Sequence, residues 1–318
     1  MKKTAFTITG WLISIALLAA LAAKIDFGTL WTGLCKAGWG WLVLAAIVNI
    51  IVIGLKAIRW QWLMQPQAKS PFWGIFKATV IGMAGNNVLP ARGGDWYKIY
   101  LLGKWENVSK TTLASVAGLD KLFDGLSIVI LFGFLSLHSR FPVWVQKGTT
   151  IVSIVILVSL ALCIILLVHH RRNFQNEDEP GWLGHLAIKF GAGMSALANT
   201  KIVIATLINS IVICLLQVLT IWCCQMAFGE HLDIWIPALV FVAINLAITI
   251  PSAPSGVGPF EAAGVLAYTW FRIGTEAAFN IALMYHAVQF FPITIAGFVF
   301  YFRTRDLKRS QVSNLEAL

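Results

Sequence analysis

Within an apolar stretch of this 318-residue chain, the run Gly118-Leu-Asp-Lys-Leu-Phe-Asp-Gly125 sets Asp120 and Asp124 four residues apart, with Lys121 between them in sequence. Residues four apart share one face of a helix. Two carboxylates on such a face in low dielectric repel unless a cation sits between them or one holds a proton. Lys121 and Arg92 are the cations expected there. An ionised side chain at bilayer depth costs about 2.5–3.5 kcal/mol on insertion scales, so Asp120 and Asp124 are read as coupling or structural charges. A salt bridge near the interface is the plainer alternative.

Two breaks carry the second set of residues. The first reads Gly85-Asn-Asn-Val-Leu-Pro-Ala-Arg-Gly-Gly-Asp95, and the second reads Ile250-Pro-Ser-Ala-Pro-Ser-Gly-Val-Gly-Pro-Phe-Glu261. In each, a proline (Pro90, Pro251) follows an apolar half-helix, then small residues (Gly93 and Gly94, or Gly256 and Gly258), then an acid (Asp95, Glu261). Unwound backbone at membrane depth needs protein or a water-filled cavity around its amides. Matching breaks that enter from opposite faces are the pattern of an inverted repeat with a binding site between its halves. A half-helix starting near Pro259 presents N-terminal amides that favour an anion such as phosphate, and Arg92 adds a forked donor for phosphate oxygens. Asn87, Pro90, Arg92, Asp95, Lys121, Pro251, Gly256, Gly258 and Glu261 are therefore the expected substrate-binding residues. A pair of ordinary proline kinks is the alternative.

Asn280, His286 and Gln289 form a weaker set on the last apolar run, with His286 and Gln289 three apart and able to face the same cavity. Hydrogen bonding between helices explains them equally well. Adjacent His169 and His170 point to different faces, and Cys163, Cys214, Cys223 and Cys224 lie in or at the ends of apolar runs, so no metal site and no disulfide framework is legible. The sequence contains no GxxxxGK[ST], HExxH or GxSxG pattern, which disfavours ATP hydrolysis and two hydrolase classes. No cofactor and no catalytic residue is expected.

The elements that must position these residues follow from composition. Charged residues are 12% and hydrophobic residues 58% of the chain, against about 25% charged in an ordinary globular domain. The sequence predicts an all-α polytopic membrane protein, with full spans over Phe6 to Ala23, Trp39 to Ile58, Thr112 to Leu137, Val143 to Val168, Ile202 to Phe228 and Ala278 to Phe302. Residues 72–102 and 234–271 are expected as broken or re-entrant hairpins, and 182–200 as a helix in the membrane interface carrying Trp182, Leu186, Phe190 and Met194 at four-residue spacing. The whole chain reads as a single membrane domain. Lys2, Lys3 and the small residues Ala20 to Ala23 also fit a cleaved signal peptide.

The net charge of +10 is explained by orientation rather than by nucleic acid. With both termini cytoplasmic, most lysines and arginines fall on the inner side, while the outer side keeps Lys24, Lys36, Arg140, Lys147 and Arg272. An inner-membrane location is the accompanying expectation.

The motifs taken together resemble the transmembrane, flippase-like family of lysylphosphatidylglycerol synthases. Carrying the resemblance are Arg59-Trp60, Ile81-Gly82 through Asn87-Val-Leu-Pro-Ala-Arg-Gly-Gly-Asp95, Asp120-Lys-Leu-Phe-Asp124, and Pro251 through Gly256-Val-Gly-Pro-Phe-Glu261. Asp95, Lys121 and Ser255-Gly256 stand where that family often has Glu, Arg and Pro-Gly. No cytosolic aminoacyltransferase domain follows Arg309, so the resemblance implies lipid translocation rather than lipid synthesis. The expected cargo is a phospholipid or a polyprenyl-phosphate-linked lipid. A cytosolic lipid-modifying enzyme and a second copy of the chain are the further partners it leaves open. Two alternatives stand beside translocation: a membrane-embedded glycosyl- or aminoacyl-lipid transferase using Asp26, and an accessory subunit of a lipid-modifying synthase.

Overall fold

Lipid offers backbone amides no partner, so apolar runs of this length fold as helices that satisfy their own hydrogen bonds. The computed structural model describes residues 2–23, 25–89, 92–137, 143–173, 189–249 and 252–316, and contains no strand among them. In chain order the helices are α1 (Lys2–Ala22), α2 (Phe27–Cys35), α3 (Trp39–Met64), α4 (Phe72–Val88), α5 (Gly93–Trp105), α6 (Lys110–Ser136) and α7 (Val143–Asn173). They continue as α8 (Thr200–Ala227), α9 (Trp235–Ala247), α10 (Pro259–Trp270) and α11 (Thr275–Glu316). Residues Pro90 and Pro251, and 182–188 of the expected interfacial helix, lie outside the described residues.

The chain is an all-α polytopic membrane protein. Helices α3 and α8, the stretch Val145–Leu162 of α7 and the stretch Thr275–Thr304 of α11 are long and apolar enough to cross a bilayer. Trp11–Ala22 and Phe27–Cys35 meet that criterion only as a pair bent by 89°. At 27 residues α6 has the length, but Asp120, Lys121 and Asp124 interrupt its apolar character. Along α7, Ile151, Ile154, Val155 and Val158 stand exposed, an apolar surface suited to lipid contact.

Helices α4 and α5 double back on each other: Gly82 approaches Lys98, Gly85 approaches Gly94, and Asn86 pairs with Asp95. The turn between them carries Arg92 at φ 54°, a left-handed conformation. Gly94 makes the close approach possible, because a Cβ there would lie 1.9 Å from the Gly82 carbonyl oxygen. A second hairpin joins α9 to α10 through the short 3-10 turn Pro254–Gly256. Ile248 meets Gly256 and Ile244 meets Gly264 in the same antiparallel sense.

The hairpins sit in separate cores. Leu101, Leu102, Leu113 and Phe123 belong to one around α3 to α6, and Phe241, Phe260, Tyr268 and Tyr285 to the other around α8 to α11. Helix α11 packs against both α4 and α10. Pro292 inside α11 has no N–H for the Val288 carbonyl, and the Asn49 side chain donates to that carbonyl instead at 3.1 Å.

Residues 189–194 are helical and dock on α6: Thr112 donates to the Lys189 carbonyl at 2.9 Å, and Met194 is buried. Gln67 reaches the Ser195 hydroxyl at 2.8 Å, tying the end of this segment to the chain just after α3. Met194 packs inward, while Phe190 stays exposed.

Candidate functional site

Asp120 and Asp124 share a face of α6, and the cation between them is Arg59 from α3. Its Nε lies 2.7 Å from Asp120 and its Nη2 2.7 Å from Asp124, while Nη1 donates to Ser210 at 2.8 Å. Arg59 is completely buried. A guanidinium fork can serve two carboxylates and a hydroxyl at once, which a lysine cannot.

This corrects the expectation that Lys121 or Arg92 balances the two acids. Lys121 follows Asp120 by one residue, a step of about 100° around the helix, so it faces elsewhere. Its ammonium is half-exposed and lies 3.9 Å from Asp95. The span expected over Trp39 to Ile58 stops one residue short of Arg59 and so leaves it outside the apolar run. Helix α3 instead runs on to Met64, and the apolar residues Trp60, Trp62, Leu63 and Met64 after Arg59 were the signal for that.

A cavity of about 750 Å³ opens beside this cluster, walled by α3 to α6, α8, α11 and the second break. Lys56, Arg92, Lys98 and Lys121 line it together with Asp95, Asp120 and Asp124. Because Arg59 already holds two of the three carboxylates, the lining carries excess positive charge and suits an anion. Lys98 is buried with its ammonium 3.6 Å over the Trp60 ring, a cation–π contact. Asn86 and Asp95 brace the wall reciprocally: the Asn86 amide donates to Asp95 at 2.9 Å, and the Asp95 backbone N–H donates to Asn86 at 3.1 Å.

On the opposite wall, Ser255, Gly256, His286 and Gln289 line the same cavity. Behind them the Glu261 carboxylate accepts from the Gly258 N–H at 2.7 Å and meets His286 Nδ1 at 2.5 Å. The other ring nitrogen of His286 lies 2.8 Å from the Ser255 hydroxyl. The helix start near Pro259 therefore already holds an anion, the carboxylate of Glu261, where phosphate was expected.

Asn87, Arg92, Asp95, Lys121, Gly256, Asp120, Asp124 and His286 thus come together around one cavity. Glu261 and Gly258 do not reach its wall: Glu261 acts through His286, and Gly258, at φ 96°, packs on the backbone of Ser14. Asn280 lies apart and reaches the Leu30 carbonyl at 3.4 Å. Lys56, Asn86, Lys98 and Ser255 were not singled out from sequence. Lys98 follows Asp95 by three residues and Lys56 precedes Arg59 by three, so helical spacing from a charge already noted would have found both. No group of three or more His, Cys, Asp or Glu side chains could hold a metal among the described residues.

A family model described as the lysylphosphatidylglycerol synthase TM region matches residues 7–297. A UPF0104 membrane protein of Methanothermobacter thermautotrophicus is 23% identical over 90% of this chain and 91% of its own. A UPF0104 membrane protein of Methanocaldococcus jannaschii is 26% identical over 68% of this chain and 92% of its own. Glycosyltransferase AglD of Haloferax volcanii is 22% identical over 91% of this chain but only 53% of its own length. No solved structure matches the chain.

Proposed function

The chain belongs to the family of the lysylphosphatidylglycerol synthase TM region, and from that premise we propose that it moves a phospholipid or a polyprenyl-phosphate-linked lipid between the leaflets of a bacterial inner membrane. The observation that carries this reading is the cavity of about 750 Å³ with excess cationic lining, walled by two broken hairpins. Arg92, Lys98 and Lys121 hold the phosphate, and Asn87 and Gly256 shape the pocket around it. Asp95 balances Lys121, and the acyl or prenyl chains lie against the exposed apolar faces. An inside-negative potential of 100 mV drives each unit of negative charge outward by about 2.3 kcal/mol, so an anionic lipid leaves the inner leaflet without further coupling. Both termini lie in the cytoplasm, as the distribution of lysine and arginine favours.

Similarity to a glycosyltransferase favours a second reading, in which the chain serves lipid-linked sugar or aminoacyl transfer. Asp26, the acid available for such transfer, caps α2 by accepting from the N–H groups of Gly28 and Thr29, at 2.7 Å and 3.4 Å. That use of its carboxylate weighs towards translocation.

Liposomes containing the purified chain and fluorescent lipids of anionic, zwitterionic and cationic head groups test the reading by dithionite quenching. Loss of protected signal for the anionic lipid is expected, and Arg92→Ala, an exposed position, abolishes it while the protein still inserts. No protein-dependent loss with any lipid, or normal loss in Arg92→Ala, overturns the assignment.

A further inference from the structure

Three side chains at the second break are arranged as a nucleophile, a base and an orienting acid. Glu261 is fixed on one oxygen by the Gly258 N–H at 2.7 Å, and its other oxygen meets His286 Nδ1. A carboxylate accepts, so Nδ1 donates to Glu261 and Nε2 is the ring atom that meets the Ser255 hydroxyl at 2.8 Å, with the Asn87 amide oxygen a second acceptor 3.4 Å from that hydroxyl. Phe260 stacks on the imidazole with ring centres 4.2 Å apart and planes 22° from parallel, which limits its rotation. Glu261 and His286 are buried, whereas Ser255 is half-buried on the cavity wall.

The backbone at Ser255 adds an independent observation. Its φ is 62° and its ψ 0°, a left-handed conformation that serine adopts at a cost and glycine adopts freely. Strained residues of this kind concentrate where the side chain has work to perform.

We propose that Ser255, His286 and Glu261 form an acyl-transfer centre that cleaves a carboxylic ester of a phospholipid held in the cavity. Ser255 Oγ bonds to the ester carbonyl carbon while His286 Nε2 takes the hydroxyl proton. The tetrahedral adduct collapses by breaking the bond from that carbon to the alkoxy oxygen, and the departing alkoxide recovers the proton from Nε2. Water then attacks the acyl-serine along the same proton path, releasing a carboxylic acid and restoring Ser255. Arg92 and Lys98 line the same cavity, where they hold the phosphate of the bound lipid. Only the choice of ester rests on the lipid reading of the cavity; the nucleophile itself can be tested without lipid movement.

The full chain in vesicles is treated with a fluorophosphonate probe, which phosphonylates activated serines, and the adduct is located by peptide mass spectrometry. A single adduct on Ser255 is expected. Labelling falls by on the order of 100-fold in His286→Gln, which keeps the serine but removes the base. Ser255→Gly, which relieves the left-handed strain, loses the adduct with unchanged or raised melting temperature. Vesicles of phosphatidylglycerol labelled in a fatty acyl chain, and of phosphatidylglycerol aminoacylated on its head group, locate the ester: release of fatty acid places it on the glycerol, and release of amino acid on the head group. Absence of a Ser255 adduct in the wild-type chain, labelling indifferent to His286, or release of neither acid overturns the proposal. Failed lipid quenching together with a His286-dependent adduct overturns translocation alone.

Discussion

The side-chain amide of Asn49 sits 3.1 Å from the Val288 carbonyl oxygen, the acceptor that Pro292 leaves without its helical donor. Helix α3 thus supplies across the bundle what α11 cannot supply to itself. Asn49→Ala leaves that carbonyl unpaired in an apolar setting and is expected to lower stability by about 1 kcal/mol. Pro292→Ala restores the local donor, so the double substitution should cost less than the sum of the two singles. Thermal unfolding in detergent, run as a double-mutant cycle, checks both statements.

Arg59 is the more demanding position. Removing the guanidinium in Arg59→Met strands Asp120 and Asp124 beside each other, and breaking a buried pair in this way costs about 3–5 kcal/mol. Loss of monodisperse protein on fluorescence-detected size exclusion is the expected result. Arg59→Met combined with Asp120→Asn and Asp124→Asn removes the stranded charges and should recover a folded peak. Arg59→Lys is expected to recover little, because an ammonium cannot span two carboxylates and Ser210.

The first hairpin depends on a missing side chain. Gly94→Ala drives a Cβ to within 1.9 Å of the Gly82 carbonyl oxygen and should abolish folding. Gly54 and Gly118, also helical, have nothing within 4 Å of an added Cβ, so alanine there should be neutral or stabilise by up to about 1 kcal/mol. Expression and melting temperature across the three variants separate a packing requirement from a general intolerance of alanine.

Asn86 and Asp95 exchange two hydrogen bonds, and the exchange can be inverted. In Asn86→Asp with Asp95→Asn, the carboxylate at 86 accepts both the backbone N–H and the side-chain amide of residue 95. Melting temperature should stay near wild type in this double variant and fall in Asn86→Ala by the equivalent of about 1–2 kcal/mol. Equal losses in both would show that the net charge at residue 95, and not the bracing, is what counts.

The membrane class, the long apolar helices and the two interruptions were legible in the sequence because each rests on local pattern: run length, charge scarcity, and Pro with Gly at a break. Asp120, Asp124 and Arg92 were legible because a charge in an apolar run stands out. The identity of their partners was not. Arg59 reaches Asp120 across 61 residues and Ser210 across 151, and pairing over such separations leaves no trace in spacing. Ser255 was missed for a different reason: a serine among Pro and Gly is the composition of any turn, and only its φ and its contact with His286 distinguish it.

The second break is also anchored from the opposite end of the chain. The Ser14 hydroxyl accepts from the Ala253 N–H at 2.9 Å, a contact across 239 residues, and the backbone of Ser14 occupies the space a side chain at 258 would need. A ribosome finishes α1 long before residue 253 exists, so the first helix is made before its partner at this contact. The break, with Ser255 two residues beyond the contact, reaches its final form only when the first and last thirds of the protein meet. Ala253 lines the cavity, so one wall of that space is held by a contact between segments made early and late in synthesis.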